Sequence, residues 1–301
     1  MMGSTAPDAL ARAPSRQAVR ARRRLGAIGG YALVIAVVVV TIFPIYWMIA
    51  TTVRPTGETT HFPPPLISRH VTLTSFRDLF AAQPIGSWLL RSTELALIAT
   101  VICIVMAVLG AYTLSSMRWR GKGLFAAFLL ITQMLPEALI VVPIFKIYTR
   151  VPIIHIDLRN QIAGLGLLDA AFILPIGVWV LKNLFDTVPR EIREAALVDG
   201  AGPMRILYEI MLPLTLPGLV AVGVVAFFYS WNEYLFAQLM TPDKTLYVAS
   251  VGLASMKTML DTPIEQLLAA GLIFAIPPVF FYIVMQRYIV AGITAGAVKG
   301  R

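Results

Sequence analysis

The sequence predicts an all-α, polytopic membrane protein with six transmembrane helices and both termini in the cytoplasm. Its 301 residues are 58% hydrophobic and only 14% charged, whereas a soluble domain is about half apolar and a quarter charged. Six segments are long and apolar enough for a spanning helix, which needs about 20 such residues. A cluster of arginines stands directly before the first segment, as the positive-inside bias expects of a cytoplasmic N-terminus.

The predicted spans divide the chain into one membrane domain with two tails. The first apolar run, "LGAIGGYALVIAVVVVTIFPIYWMIA", is too long for a signal peptide and lacks a small-residue cleavage site, so we expect it to be retained. Residues 1–24 are predicted to be a disordered basic cytoplasmic tail, and residues 290–301 a cytoplasmic C-terminal tail. Between them, residues 25–289 contain the six predicted spans: 25–50, 88–116, 123–148, 161–182, 214–238 and 267–289.

The distribution of Lys and Arg fixes the predicted orientation. The basic N-terminal tail, the "MRWRGK" turn at 117–122 and the 183–213 loop would lie inside, because basic residues concentrate in cytoplasmic segments. The outer loops would then be 51–87, 149–160 and 239–266. The last is long for a connector, which is typical either of a functional loop or of a solvated surface loop.

Several spans contain proline, which removes a backbone donor and kinks a helix. This pattern favours spans that bend around a cavity, although prolines are also common in ordinary membrane helices. The positions are Pro44, Pro136, Pro143, Pro175, Pro217, Pro277 and Pro278.

The 183–213 loop predicts a short helix–turn–helix. Pro189 suits a first helical turn, and Glu191 and Glu194 follow where negative charge meets the positive end of the helix dipole. Gly200 allows a turn into a second helix, "PMRILYEIMLP". Ala195 and Ala196 have so little side chain that another protein can approach the backbone closely.

The same loop carries a family resemblance. Glu194-Ala195-Ala196 is followed after three residues by Gly200, after nine more by Ile210, and then by Leu212-Pro213. This spacing resembles the cytoplasmic signature of ABC importer permeases, the EAA loop. The resemblance implies a type I ABC importer permease fold whose loop docks into a cleft on an ATP-binding subunit. It assigns this contact to Arg193, Glu194, Ala195, Ala196, Asp199 and Gly200, with Glu194 facing a basic residue of the ATPase.

The wider chain, from Tyr31 onward, resembles the smaller permease of maltose-type carbohydrate importers, most closely in the ending "QRYIVAGITAGAVKG". The resemblance implies a prokaryotic inner-membrane subunit that works with a homologous larger permease, two ATP-binding subunits and an extracytoplasmic solute-binding protein. It also implies that Thr294, Gly296 and Lys299 make a second ATPase contact, although a disordered tail is the alternative. Asp169 and Asp186 depart from the family pattern.

The residues offer no chemistry of their own. "GKG" at 121–123 lacks the flanking residues of a phosphate loop, and the three histidines show no metal-ligand spacing. We therefore expect no enzyme activity and no cofactor or metal on this chain, with ATP and Mg bound by partner subunits. Basic residues before a span indicate contact with membrane lipid rather than nucleic acid.

Polar residues inside the spans are candidates for a substrate path, because charge in lipid is costly and faces a cavity or a partner. Gln133 and Glu137 are four residues apart on one helix face. A second cluster, near the end of the fifth span, consists of Tyr229, Trp231, Asn232 and Glu233. Interhelical hydrogen bonding and an interfacial aromatic belt are the alternative explanation.

The resulting expectation is a permease subunit of an ATP-driven, binding-protein-dependent carbohydrate importer. A permease for glycerol phosphate, an amino acid or another non-sugar solute is the nearest alternative. An ion-driven secondary transporter would show inverted repeats, and a membrane-embedded enzyme would need an acidic metal motif; the sequence shows neither.

Overall fold

The computed structural model describes residues 16–55, 67, 70–149, 157–257 and 263–297, with side chains from residue 29 to residue 288 of those ranges. All the α- and π-helical segments in these ranges follow the apolar runs and the loop pattern of the sequence. They are α1 (Arg16–Thr52), α2 (Thr74–Ala82), α3 (Ile85–Ser116), α4 (Lys122–Thr132), α5 (Glu137–Thr149), α6 (Ile162–Asp186), α7 (Arg190–Val198), α8 (Pro203–Ile206), a π turn (Leu207–Met211), α9 (Leu212–Trp231), α10 (Leu235–Met240), α11 (Ala249–Lys257) and α12 (Ile264–Ala297).

Five of these helical segments are long and apolar enough to cross a membrane, and α4 with α5 makes a sixth candidate that is bent by 104°. The predicted third span, 123–148, is therefore not one continuous helix. Turn hydrogen bonds from the Gln133 and Met134 amides end α4, and Pro136, which has no amide hydrogen to donate, directly precedes α5. By contrast, the prolines within α6, α9 and α12 leave those helices unbroken.

Three other expectations need correction. Residues 16–24 of the predicted disordered tail are helical and continue into α1. Residues 290–297 likewise extend α12 instead of forming a separate tail; residues 1–15 and 298–301 lie outside the described ranges. The predicted fifth span, 214–238, is interrupted after Trp231 and resumes as the short α10.

The core of the bundle is the contact between α3, α6 and α9. One continuous cluster of buried side chains joins these helices, including Cys103, Ala107, Val178 and Val222. Gly177 shows how close the helices come, since a Cβ atom there would lie 3.1 Å from the Ala107 Cβ. Small residues let membrane helices approach in this way. Helix α12 packs on α9, and α1 packs mainly on α12.

The 239–266 loop, the last of the predicted outer loops, is not simply a solvated surface loop. Within it, α11 packs against α3 and α12, and its Val251 and Met256 are fully buried. The Trp88 ring of α3 covers Gly252, where any Cβ would clash at 2.3 Å. The Ala249 amide donates a 2.8 Å hydrogen bond to the Ser92 hydroxyl. The loop is thus anchored to the bundle; residues 258–262 lie outside the described part.

Candidate functional site

The 183–213 loop forms the helix–turn–helix that its sequence predicts. Helix α7 ends at Val198, and Gly200 follows with a φ of +81°, a left-handed conformation in which a side chain is strained. The Ala201 amide donates to the Ala196 carbonyl at 2.9 Å, and the Gly200 amide donates to the Leu197 carbonyl at 3.1 Å. These two bonds form a Schellman motif, which satisfies the last carbonyls of α7 and redirects the chain into α8.

The loop has one face in the bundle and one in solvent. Ala196, Ile206 and Leu207 are buried in the same cluster as the core helices. Glu194 and Ala195 are exposed, on the opposite side of α7.

This arrangement corrects one expectation for the alanine pair. Ala196, only 8% exposed, packs inward and is not part of a surface open to another protein. The accessible face of α7 carries Glu194, Ala195 and Asp199, with Arg193 half-buried. The outward face contains a carboxylate beside a small residue, and the coupling roles of these residues remain predictions.

A second candidate site lies at the break between α4 and α5. A cavity of about 80 Å³ opens there between the break, α6 and α9. Gln133 and Glu137 enter it from the two sides of the break, and Tyr229 enters from α9. The Tyr229 hydroxyl donates to the Glu137 carboxylate, and the Gln133 amide donates to the Phe172 carbonyl at 3.0 Å. Three of the six candidate path residues therefore meet in one place.

The other three candidates are not in that cavity. Trp231 is 1% exposed and stacks on Phe227 and Phe274. Asn232 donates through its side chain to the Phe228 carbonyl and ends α9. Glu233 is buried, and its carboxylate accepts the Phe236 amide at 2.7 Å. These three side chains make contacts within the bundle. Their clustering in the sequence does not distinguish such contacts from the lining of a substrate path.

One contributor to the cavity was not anticipated. The Phe172 carbonyl is an acceptor on the wall of the cavity, three residues before the helix proline Pro175. No residue type marks such a group, because its availability depends on how α6 packs against the break. Beside this site, Asp169 is fully buried next to Ser230 and Glu233, and neither of its oxygens has a hydrogen bond of normal geometry.

Residues 157–160 are tied to the segment that follows α10 at one end of the bundle. The Asn160 amide donates to the Met240 carbonyl at 2.7 Å. Hydrogen bonds from Arg159 to Asp157 hold the pKa of that carboxyl below its ordinary value. Backbone and hydroxyl hydrogen bonds from Thr245 likewise lower the pKa of Asp243. Both carboxylates therefore stay charged at neutral pH, and the charge of Asp157 is balanced by Arg159.

Of the three C-terminal candidates, Thr294 and Gly296 lie on the last turns of α12, and Lys299 lies outside the described residues. The described chain has no group of three His, Cys, Asp or Glu side chains placed to hold a metal ion.

The chain is similar to known membrane transport proteins over most of its length. Residues 99–295 match the family described as binding-protein-dependent transport system inner membrane component. The chain is 32% identical to the inner membrane ABC transporter permease protein YcjP of Escherichia coli, over 93% of this chain and 99% of that protein. It is also 32% identical to the trehalose transport system permease protein SugB of Mycobacterium tuberculosis, over 90% of this chain and 94% of that protein.

A solved structure supports the same fold. A chain of a bacterial ABC transporter involved in the import of the acidic polysaccharide alginate superposes with a TM-score of 0.77, at 19% identity over 92% of this chain and 99% of that one. The chain therefore belongs to the binding-protein-dependent transport system inner membrane components, the multi-pass ABC transporter permeases of the inner membrane.

Proposed function

We propose that this chain is the permease subunit of an ATP-driven, binding-protein-dependent carbohydrate importer, and that it forms half of the translocation pore. The observation that carries the proposal is the 183–213 loop, which is packed into the core through Ala196 and Leu207 and presents Glu194 outward. A loop built in this way moves with the bundle and leaves a charged face free for a partner.

Coupling follows from the continuity of the helices. Helix α8 passes through the π turn into α9 without a break, so a displacement of the loop is transmitted to the core contact with α3 and α6. The partner that supplies the motion is an ATP-binding subunit, two of which bind ATP and Mg below the two permeases. Their closure switches the pore between inward-open and outward-open states.

Two substitutions test this coupling. Glu194→Lys reverses the exposed charge of α7, and Gly200→Val places a β-branched residue at positive φ, which costs about 1–2 kcal/mol and distorts the turn. We expect each to reduce ATP-subunit copurification and proteoliposome uptake at least tenfold. Asp78→Lys, which reverses an exposed carboxylate on α2, is the matched control and should leave both unchanged. Normal uptake and copurification in both loop variants would refute the coupling role.

The substrate class is inferred from the relatives. Besides the trehalose permease, they include the diacetylchitobiose uptake permease DasC of Streptomyces coelicolor and the trehalose/maltose permease MalG of Thermococcus litoralis, each 29% identical over 86% and 88% of this chain. A second similar structure is an alginate transporter in complex with a pentasaccharide-bound periplasmic protein. We infer an oligosaccharide substrate that a periplasmic or extracellular binding protein delivers at the outer loops.

A thermal-shift screen of the cognate solute-binding protein tests that inference. Trehalose, maltose and diacetylchitobiose are the probes, and glycerol 3-phosphate and an amino-acid mixture cover the nearest alternative. Stabilisation by a glycan is the expected result. Stabilisation only by glycerol 3-phosphate or an amino acid would contradict the carbohydrate inference but not the proposal that the chain belongs to an importer.

We further infer that the cavity at the α4–α5 break contacts the sugar as it passes. Gln133, Glu137 and Tyr229 offer amide, carboxylate and phenol groups, which match hydroxyl-rich ligands. Glu137→Gln should raise the KM for uptake several-fold with little change in the basal ATP hydrolysis rate. Glu94→Gln alters an exposed carboxylate of α3 that pairs with Arg91 and should leave the KM unchanged. Equal KM values in both variants would show that the cavity does not contact the transported sugar.

A further inference from the structure

A large cleft on the described surface is separate from both candidate sites. It has a volume of about 370 Å³ and lies between α3, α4 and α6. Its walls include Met106, Leu109 and Thr113 of α3 and Leu174 of α6, and Phe125 closes it from α4. Residues 106–113 extend about 10 Å at the rise of an α-helix, so the cleft runs from the end of α3 toward the middle of the span.

The walls of this cleft are apolar and leave little for water to bind. The one hydroxyl among them, on Thr113, donates to the Leu109 carbonyl at 2.8 Å. An ordered water needs two to four polar partners, and an empty cleft loses the dispersion contacts of its walls. Because the cleft opens from a membrane-spanning bundle, an acyl chain is the occupant that suits these walls.

The mouth of the cleft is basic and aromatic. It lies at the turn between α3 and α4, where Trp119 lines the opening at 40% exposure. Trp119 is flanked by Arg118 and Arg120, which are both exposed. Among the residues the structure describes, neither arginine has a carboxylate within ion-pair distance. Lys122, the first residue of α4, follows directly.

These observations point to one ligand. We propose that the cleft binds an anionic phospholipid, with an acyl chain between α3, α4 and α6 and its phosphate on the basic 117–122 turn. The indole of Trp119 occupies the interfacial level that aromatic side chains prefer, and basic residues at the end of a span attract anionic headgroups. A protein segment from a second subunit would need carboxylates at the mouth as well as an apolar body.

The lipid would also support α4 against the bundle. Helix α4 is short and is followed by the break at 133–136, so a chain filling the space beside it would restrain α4 against α3. The proposal does not depend on the nature of the transported solute. It concerns a face of α3 and α4 that neither the 183–213 loop nor the cavity uses.

The test is native mass spectrometry of the purified full chain, titrated with dioleoylphosphatidylglycerol or dioleoylphosphatidylcholine. Their acyl chains are identical, so a difference in affinity reports the headgroup. The double variant Arg118→Gln/Arg120→Gln should lose roughly 30-fold in affinity for phosphatidylglycerol, at about 1 kcal/mol for each basic residue near the surface. Arg77→Gln/Lys257→Gln removes two exposed charges elsewhere and should change nothing.

The acyl-chain site has its own matched pair. Met106 and Val105 are neighbours on α3 with 51% and 53% exposure, but only Met106 lines the cleft. Met106→Phe should weaken binding of both lipids several-fold, whereas Val105→Phe should not.

Three outcomes would overturn the proposal. They are equal affinity of the wild type for the two lipids, equal binding by the two phenylalanine variants, and loss of subunit copurification in Met106→Phe with lipid binding intact. The last would make the cleft a protein interface. Thermal stability of every variant is measured in parallel. If the double arginine variant unfolds, it is replaced by the single variants Arg118→Gln and Arg120→Gln, each of which should lose about fivefold in affinity for phosphatidylglycerol. If Met106→Phe unfolds, it is replaced by Met106→Gln, which puts an amide in the apolar wall and should weaken binding of both lipids, with Val105→Gln as its control.

Discussion

Two helices of this permease have the same hydropathy and different surroundings. The apolar windows of α1 and α3 both have a mean hydropathy of 2.6, yet none of the α1 window and half of the α3 window is buried within the chain. The difference comes from residue size along one face. Helix α3 has a stripe of small residues at helical spacing, all almost fully buried: Ser92, Ala96, Ala99, Cys103 and Ala107.

Helix α1 has no stripe of comparable length: its small residues at helical spacing, Gly29, Ala32 and Ala36, stop before its middle and are all exposed. Its middle is the run Val37–Val40, whose side chains are all exposed. Hydropathy therefore identifies a span, while the spacing of small residues identifies which span other helices of the same chain approach closely. Most side chains of α1 are therefore left without contacts inside the described part of this chain.

The largest expected effect tests this distinction directly. A Cβ at Gly177 of α6 would lie 3.1 Å from the Ala107 Cβ and 3.2 Å from a Val222 methyl, whereas one at Gly30 of α1 would meet nothing within 4 Å. Gly177→Leu should destabilise the bundle by about 3 kcal/mol through overpacking, and Gly30→Leu should not destabilise it. The free energy of unfolding is measured by SDS titration in mixed micelles. Equal midpoints for the two variants would show that small-residue spacing does not define the core.

The same contrast explains what could be predicted from the sequence. The spans follow from hydropathy, and the helix–turn–helix follows from Pro189 and Gly200, because both signals are local. The 104° bend between α4 and α5 does not follow in the same way. Pro136 predicts a kink, but Pro175 and Pro217 lie inside continuous helices, so the effect of a proline depends on packing.

The candidate sites likewise include features that a local sequence pattern marks and features that only packing determines. The exposed face of the 183–213 loop was predictable because a spaced motif marks it, but the inward packing of Ala196 was not. Tyr229 and Glu137 are 92 residues apart and hydrogen-bonded, and no local pattern selects that pair over Trp231 and Glu233. The sequence therefore identifies polar residues in a span as candidate site residues, but which of them contact each other depends on how the helices pack.

An intermediate effect is expected where α12 packs on α9. The Phe281 ring stacks on Phe227 with centroids 4.0 Å apart, while its neighbour Phe280 is 67% exposed. Phe281→Ala should cost about 1–2 kcal/mol, since a stacked aromatic pair contributes beyond its buried area. Phe280→Ala, which removes an equal side chain, should cost little in the same SDS titration. A similar loss in both would mean that the outward face of α12 is also packed in the isolated chain.

The smallest expected effect concerns the polar contacts at the end of α3 and whether they add to the free energy of unfolding beyond packing. Asp186 at the end of α6 accepts a 2.6 Å hydrogen bond from Ser115 of α3 and pairs with Lys182 at 2.6 Å. Glu94 pairs only within α3, with Arg91. The two carboxylate side chains have nearly equal exposure, at 44% and 40%.

Asp186→Ala should therefore destabilise the bundle by about 0.5–1 kcal/mol more than Glu94→Ala, because an exposed pair within one helix contributes only about 0.3–0.5 kcal/mol and the Ser115 bond crosses between helices. A double-mutant cycle of Asp186→Ala with Ser115→Ala isolates the crossing bond. A coupling energy near zero would leave the α3–α6 contact to the small-residue stripe alone. That result would strengthen the contrast with α1, since packing would then be its single cause.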